Sequence, residues 1–337
     1  MSERAQIEND LEHFRAEWDD PSPYMTVQTS GSTGTPKQMR VLKERMRASA
    51  RLTCQFLGLK KGDTALLCMP LRYIAGKMVV VRALEWGLKL LVREPSGHPL
   101  AEPFDGDLDF AAMIPLQVYN SLQVPAERER LTRIRHLIIG GGAIDRELEA
   151  ALRPLPNRIY STYGMTETLS HVAMRRLNGP EASEYYEPFP SVQLSLSPDQ
   201  TLVIDAPLVC DGPLVTNDVV DLQPDGRFRV IGRKDNIINS GGVKIQIESV
   251  EAKLRPFLTA PFAITALPDP KFGEAIVLLT TAETPAFPPE ALDRYERPKQ
   301  ILRVEAIPMT GSGKIDRAAC RRLAIETNEC QTSKSKR

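Results

Sequence analysis

The chain of 337 residues predicts an α/β protein. A large N-terminal domain of mainly parallel α/β sheet carries a small antiparallel β subdomain, and a smaller α+β C-terminal domain follows. Three observations predict this. From Thr64 to Ser161 short apolar runs alternate with helix-length amphipathic segments, the pattern of strand–helix–strand units. From Val192 the pattern changes to alternating runs joined by tight turns at Pro198-Asp199 and Pro224-Asp225-Gly226, which reads as antiparallel β of sheet or small-barrel form. Beyond Asp235 helices and strands mix in α+β fashion, so the domain boundary is placed there, giving domains 1–234 and 235–326 with the β subdomain at about 190–232.

Each element has its own signal. Ile7, Leu11, Phe14 and Trp18 recur at helical spacing, and Asp20-Pro21-Ser22-Pro23 ends that helix. Tyr24–Gln28 and Met39–Leu42 read as short strands on either side of a polar nonapeptide, and Lys43–Leu57 as a helix with Met46, Ala50 and Thr53 on one face. Thr64–Met69, Leu88–Arg93, Phe110–Ile114, His136–Ile139 and Arg158–Ser161 read as strands. Ile74–Trp86, Leu116–Leu122 and Ala126–Arg133 read as helices, with a further one capped by Asp145 and ending at Leu152. Val192–Leu196, Thr201–Ile204, Val219–Leu222 and Phe228–Ile231 supply the β subdomain. A helix at Ile247–Leu254, strands at Phe262–Ala266, Ile276–Thr280 and Ile301–Ala306, and a helix at Asp316–Ile325 complete the chain. Thr327–Arg337 is polar, basic and without periodicity, and is expected to be a frayed tail.

Composition excludes several classes. Lys+Arg and Asp+Glu both number 43, which gives no electrostatic footprint for nucleic acid or an anionic membrane. The most apolar stretch, Ile74–Val92, is interrupted by Lys77, Arg82, Glu85 and Lys89, so no membrane insertion is expected. The N-terminus lacks a signal-peptide core, and the five scattered cysteines form no C-x-x-C pair, which suits reduced thiols in a cytoplasmic protein.

The chemistry begins with Thr29-Ser30-Gly31-Ser32-Thr33-Gly34-Thr35-Pro36-Lys37. Hydroxyls, glycines and a lysine with almost no apolar bulk can surround an anion, because successive backbone N–H groups form a concavity that glycine leaves open. A solvated linker is the alternative, but the flanking strands favour a phosphate loop. It is not a Walker A loop, since Gly-x4-Gly-Lys-Ser/Thr is absent. Four further polar clusters fall at element ends, each with a plainer reading of its own. Ser161–Thr168 is a loop with a helix cap, or a flat Tyr163–Gly164 shelf for a base with Glu167 as a hard oxygen ligand. Thr216-Asn217-Asp218 is an Asx turn or a binding carboxylate. Gly232-Arg233-Lys234-Asp235 with Ser240–Lys244 is a charged linker or a functional loop, and Thr310–Arg317 is a helix-capping loop or a second glycine-and-lysine loop.

Taken together and in this order, the clusters resemble the adenylate-forming superfamily of acyl-CoA synthetases, nonribosomal peptide adenylation domains and firefly luciferases. The resemblance runs from about Tyr24 to about Arg322. It implies ATP-dependent activation of a carboxylic acid as acyl-AMP, with Mg²⁺, followed by transfer to coenzyme A. Attack of a carboxylate on a polyphosphate is anion meeting anion, so the protein must position and neutralise. By this resemblance Thr29, Ser30, Gly31, Ser32, Thr33, Gly34, Thr35 and Lys37 hold the β- and γ-phosphates. Thr166 and Glu167 serve the catalytic step, with Glu167 on Mg²⁺. Gly141, Gly142, Ala143, Ser161, Thr162, Tyr163 and Gly164 surround the nucleotide, Asp218 accepts from the ribose hydroxyls, and Arg233 lies beside them. Lys314 bridges carboxylate and α-phosphate, a task suited to a compact charge on a flexible stem. Asp235 is the hinge about which a mobile C-terminal domain turns, bringing Gly241, Gly242 and Lys244 to the coenzyme A thiol.

The resemblance also suggests the acid. Fewer than thirty residues precede the first loop, as in short o-succinylbenzoate–CoA ligases of menaquinone biosynthesis. Arg72, Tyr73, Gly76, Lys77 and Gly140 are the expected acid-binding residues, and Arg72 or Lys77 would pair with a spare ring carboxylate, although an exposed helix face accounts for both cations equally well. His171 and Gln117 are weaker candidates. Arg72-Tyr73 stands where many members carry an aromatic–His pair, and Asn217 where a glycine is more usual. A carrier-loading adenylation enzyme, a non-catalytic nucleotide binder and a P-loop phosphohydrolase are the competing classes. A homodimer is compatible with all of these.

Overall fold

The computed structural model describes residues 3–28, 38–310 and 315–334. Its contacts divide the chain into two compact units: Met1–Ser195 with Val203–Leu214 and Leu222–Arg229, and Leu196–Leu202 with Val215–Asp221 and Val230–Arg337. The expected boundary is Asp235; this division begins earlier and assigns three pieces of the β subdomain, including the end at Val230 and beyond, to the second unit.

The first unit opens on α1 (Glu3–Asp19), then β1 (Tyr24–Gln28) and β2 (Gln38–Leu42), paired antiparallel with Gln28 opposite Gln38. Helix α2 (Lys43–Leu57) and helix α3 (Ile74–Trp86) match their predicted bounds. Each ends where a glycine takes the left-handed conformation, Gly58 at φ 64° and Gly87 at φ 71°, which stops a helix at little steric cost. Between and after them come β3 (Thr64–Leu67), β4 (Lys89–Val92), β5 (Leu108–Met113), α4 (Pro115–Gln123), α5 (Pro125–Thr132), β6 (Ile134–Ile139), α6 (Arg146–Leu152) and β7 (Arg158–Gly164). Asp145 caps α6 as expected, its Oδ1 accepting from Leu148 N at 2.8 Å.

These strands form a seven-stranded sheet with β8 (His171–Arg176) and the two-residue β9 (Glu187–Pro188), in the order β4-β3-β5-β6-β7-β8-β9. The pairs from β4 to β7 are parallel; β7–β8 and β8–β9 are antiparallel. Leu66, Ala111, Leu137, Ile139 and Ile159 bury one face against Val118, Leu131, Leu148 and Leu152 of the helices. Sequence patterning misses β8, and it ends β7 at Ser161 although the strand runs on to Gly164. The subdomain is a four-stranded sheet of β10 (Gln193–Leu196), β11 (Thr201–Asp205), β12 (Leu214–Leu222) and β13 (Phe228–Arg233), adjacent in chain order.

The second unit continues with β14 (Ile237–Ser240), β15 (Val243–Gln246), α7 (Ile247–Leu254), β16 (Phe262–Asp269), β17 (Gly273–Thr280), β18 (Gln300–Arg303) and α8 (Arg317–Lys334). Its sheet runs β15-β14-β17-β16, with β18 parallel to β17. Val250 and Leu254 pack on one face and Cys320 and Ala324 on the other, so α7 and α8 cover opposite sides. Helix α8 extends to Lys334 through most of the segment expected to be a frayed tail. Among the described residues no helix is long and apolar enough to cross a membrane.

Candidate active site

Parallel sheets leave a crevice at the carboxyl ends of their strands, where loops can converge on a ligand. In the first unit those ends carry the predicted glycine turn and aromatic shelf. Gly140 follows β6, and its N–H donates to Met113 O of β5 at 3.1 Å. A Cβ on Gly140 would lie 2.4 Å from Thr162 Oγ1, so the two strand ends meet at a distance only glycine allows. Gly141 holds φ +82° above Ile114, and Gly142 lies over Pro115. Gly140, Gly141, Gly142 and Thr162 are therefore brought together.

Ser161, Thr162, Tyr163 and Gly164 lie in β7 rather than in a loop. The Ser161 Oγ is 2.8 Å from Tyr186 OH. The Tyr163 ring meets Phe228 edge-on, at 4.9 Å between centroids, while Tyr186 and Phe228 stack at 5.4 Å. These neighbours fix the shelf. At Gly164 the β7–β8 register shifts, and a Cβ there would fall 2.3 Å from Ser170 O and 2.4 Å from His171 Cα. Thr166–Thr168 form one 3₁₀ turn, closed where the Thr168 hydroxyl accepts from Met165 N at 3.0 Å. Leu169 then adopts φ 63°, unfavourable for a branched side chain but held by its burial.

Glu167 stands exposed on this turn. Among the described residues no group of three His, Cys, Asp or Glu side chains could cage a metal. A lone exposed carboxylate nevertheless fits Mg²⁺, which keeps several waters and is usually shared with substrate phosphates.

Arg72 and Lys77, the expected acid-binding cations, have distinct surroundings. Arg72 is exposed and lies over the Tyr73 ring at 4.8 Å. The Lys77 side chain is only 13% exposed; its Nζ donates to Thr26 O at 3.1 Å and sits 3.5 Å from Glu17 Oε2. Lys77 thus ties α3 to β1 and α1. Gly76 is required for packing, since a Cβ would lie 2.4 Å from Pro70 O. Gln117 is satisfied structurally, donating to Cys68 O and Ser96 O and accepting from Ile114 N.

The cation that sequence reading missed is Arg82. It lies on the buried side of α3, 2% exposed, and its Nη2 donates to Ser170 Oγ at 2.8 Å. Among the described residues its Nε is buried without a hydrogen-bond partner and its guanidinium makes no ion pair. Burial lowers its pKa from the ordinary arginine value to about 10, so it stays charged at neutral pH. Ser170 also contacts His171 Nδ1 at 3.2 Å, and His171 Nε2 is 3.0 Å from Thr53 Oγ1. Burial first, and Arg82 second, hold the His171 pKa well below its ordinary value. The overlooked signal was an arginine spaced three and four residues from Val79 and Met78 on an apolar helix.

In the second unit Arg233 links two predicted carboxylates. Its Nη1 lies 3.3 Å from Asp218 Oδ1 and its Nη2 3.0 Å from Asp235 Oδ2. Asn217 Nδ2 also donates to both Asp235 oxygens, at 3.2 and 3.0 Å. Thr216–Asp218 lies in β12, not in an isolated turn. Gly241 and Gly242, at φ 58° and 82°, form the two-residue turn between β14 and β15, with Lys244 on the strand just after. Thr29–Lys37 and Lys314 lie outside the described residues. The stem around Lys314 is described: Met309 bridges Ile315, Asp316 N donates to Pro308 O at 2.9 Å, and Arg317 Nη2 donates to Glu251 Oε2 at 2.8 Å.

A glycine turn and an aromatic strand end at the carboxyl edge of a mainly parallel sheet, followed by a second α+β unit, define an adenylate-forming type of enzyme. The chain belongs to the family of AMP-binding enzymes, which it matches over residues 2–208. It is 25% identical over 339 residues to a 2-succinylbenzoate–CoA ligase of Listeria monocytogenes, an alignment covering 89% of this chain and 70% of that protein. It is 26% identical over 344 residues to the enzyme of the same name in Salmonella typhimurium, covering 95% and 73%. An acyl-CoA synthetase (AMP-forming)/AMP-acid ligase II-like protein from Dyadobacter fermentans has a similar structure, with TM-score 0.66, 35% identity and 92% of each chain covered. The fold is also that of an O-succinylbenzoate coenzyme A synthetase from Bacillus subtilis in complex with ATP and magnesium ion, with TM-score 0.70 and 20% identity, covering 87% and 68%.

Proposed function

We propose that the protein is an AMP-forming acid–CoA ligase whose acid carries a second carboxylate, with 2-succinylbenzoate the best-supported substrate. In the first step the acid displaces pyrophosphate from ATP to give an acyl-adenylate; in the second the coenzyme A thiol displaces AMP. Thr29–Lys37 takes the phosphates, and Glu167 takes the Mg²⁺ that accompanies them. Gly140–Ala143 and the Tyr163 shelf receive the adenine, Asp218 and Arg233 the ribose, and Lys314 the reacting carboxylate. Asp235 is the hinge, and the Gly241–Gly242 turn with Lys244 serves the thiol.

The observation that carries the choice of acid is Arg82. A guanidinium buried without a carboxylate is costly unless something anionic completes it. Its contact with Ser170, a few residues after the Tyr163 shelf, suits the spare carboxylate of a bound diacid, a charge-assisted contact stronger than a neutral one. The names of the curated relatives support the same acid. The test compares 2-succinylbenzoate with 4-oxo-4-phenylbutanoate, the same skeleton without its ring carboxylate, in the presence of ATP, Mg²⁺ and coenzyme A. We expect kcat/KM to favour the diacid by about tenfold or more, as for a hydrogen-bonded charge, and Arg82→Met to erase the preference. Equal turnover of the two acids, or a preference that survives the substitution, contradicts the assignment.

A further inference from the structure

The contacts around Arg82 fix a direction. The Thr53 Oγ1 lies 3.1 Å from Ser49 O, and a carbonyl only accepts, so the Thr53 hydroxyl donates there. Its oxygen then accepts from His171, and Nε2 must carry the proton across the 3.0 Å contact. A neutral imidazole protonated on Nε2 leaves Nδ1 as an acceptor. Ser170 therefore donates its hydroxyl proton to Nδ1 at 3.2 Å and keeps its lone pairs for the guanidinium. Arg82, which has only donors, gives Nη2–H to that oxygen at 2.8 Å. Every proton in the chain Arg82–Ser170–His171–Thr53–Ser49 is assigned by its neighbour. The links come from separate elements: α2 supplies Thr53, α3 supplies Arg82, and Ser170 and His171 stand at the entry to β8, whose first residue is His171. Around them stand the Phe110 ring, 6.0 Å from the guanidinium carbon, and the Phe189 ring, 5.6 Å from the imidazole.

We infer that Ser170, His171 and Thr53 are positioning residues. They form a one-way hydrogen-bond relay that sets the rotation of the Arg82 guanidinium, so that its unpartnered edge is presented to the second carboxylate of the acid. The inference rests on the proposed diacid reading and deepens it. Ser170 takes one N–H of a planar fork, and fixing one arm of a rigid plane fixes the others. His171 denies Ser170 the option of donating elsewhere, and Thr53 denies His171 the other tautomer. A neutral histidine suits this place better than a charged one, because two cations sharing an apolar pocket would repel.

The test uses Ser170→Ala, Thr53→Val and Thr53→Ser in the full chain, with the same acid pair. We expect Ser170→Ala to raise KM for the diacid about tenfold, as for loss of a hydrogen bond to a charged group, with kcat and the monoacid KM held within about twofold. Thr53→Val should shift the diacid KM in the same direction, and Thr53→Ser, which keeps the hydroxyl, should restore it. Nitrogen NMR of the wild-type imidazole should show His171 protonated on Nε2 alone at neutral pH. Equal losses for both acids in Ser170→Ala, or a proton on Nδ1, overturn the relay while leaving the diacid preference intact. Absence of any diacid preference in the wild type, by contrast, removes the underlying substrate reading.

Discussion

Replacing Arg82 by methionine should leave the fold as stable as before or make it more stable, while removing its preference for a diacid. Arginine and methionine are both long and unbranched at Cβ, so the substitution mainly deletes the charge. Burial lowers the Arg82 pKa from the ordinary arginine value to about 10. With each pKa unit worth about 1.4 kcal/mol, the fold carries roughly 3 kcal/mol against the charged form. No carboxylate among the described residues returns it; the nearby Cys54 is the one titratable group that acts in the opposite sense. The lost bond to Ser170 offsets part of the gain, by about 1.5–3 kcal/mol for a hydrogen bond to a charged group. The net change should therefore lie between zero and about 2 kcal/mol of added stability, in line with apolar replacement of buried ionic groups. Urea unfolding read by far-UV circular dichroism measures it as a midpoint at unchanged slope. A loss of more than about 1 kcal/mol would identify Arg82 as a structural brace and refute the argument from its burial.

Gly164→Ala should destabilise by about 1–3 kcal/mol through overpacking and weaken diacid binding as well, because the new Cβ meets the backbone of Ser170 and His171 rather than a movable side chain. Gly212→Ala, where a Cβ meets nothing within 4 Å, is the control, and its urea midpoint should not move. His136 gives a pH dependence: burial first, with Arg135, Arg158 and Arg176, lowers its pKa from 6.5 to about 4, and Asp109 only partly opposes them. The unfolded chain therefore takes up this proton before the folded one does. Stability is complete above pH 6.5 and declines as the pH falls, by up to about 3 kcal/mol, levelling off below about pH 4. His136→Leu should flatten that acid limb in urea midpoints taken between pH 4 and 7, leaving the part due to His171; an unchanged limb would show that His136 is not its source.

Local signals carried much of this molecule. Helices α2 and α3 were legible to their last residue because a 3.6-residue apolar period ends at a glycine in both. The glycine turn at Gly140 and the shelf at Tyr163 were legible because strand ends in parallel sheets are where such residues gather. Long-range pairing was not. Strand β8 follows β7 through a register shift at Gly164 that depends on how closely two backbones approach, and nothing in a window of neighbours encodes that distance. Lys77 and Arg82 show the same limit for side chains. Both interrupt one apolar helix, and only the packing of α1, β1 and β8 around it decides that the first is paired with Glu17 and that the second, among the described residues, has no carboxylate partner.

Exchange of labelled pyrophosphate into ATP is the most direct measurement of the central claim, because it reports acyl-adenylate formation alone, without coenzyme A. The account predicts exchange that requires both Mg²⁺ and 2-succinylbenzoate, and that Lys314→Ala abolishes while the same variant still converts supplied acyl-adenylate and coenzyme A to the thioester. Exchange that proceeds without any acid, or no exchange with any acid of a broad carboxylate panel, would contradict it.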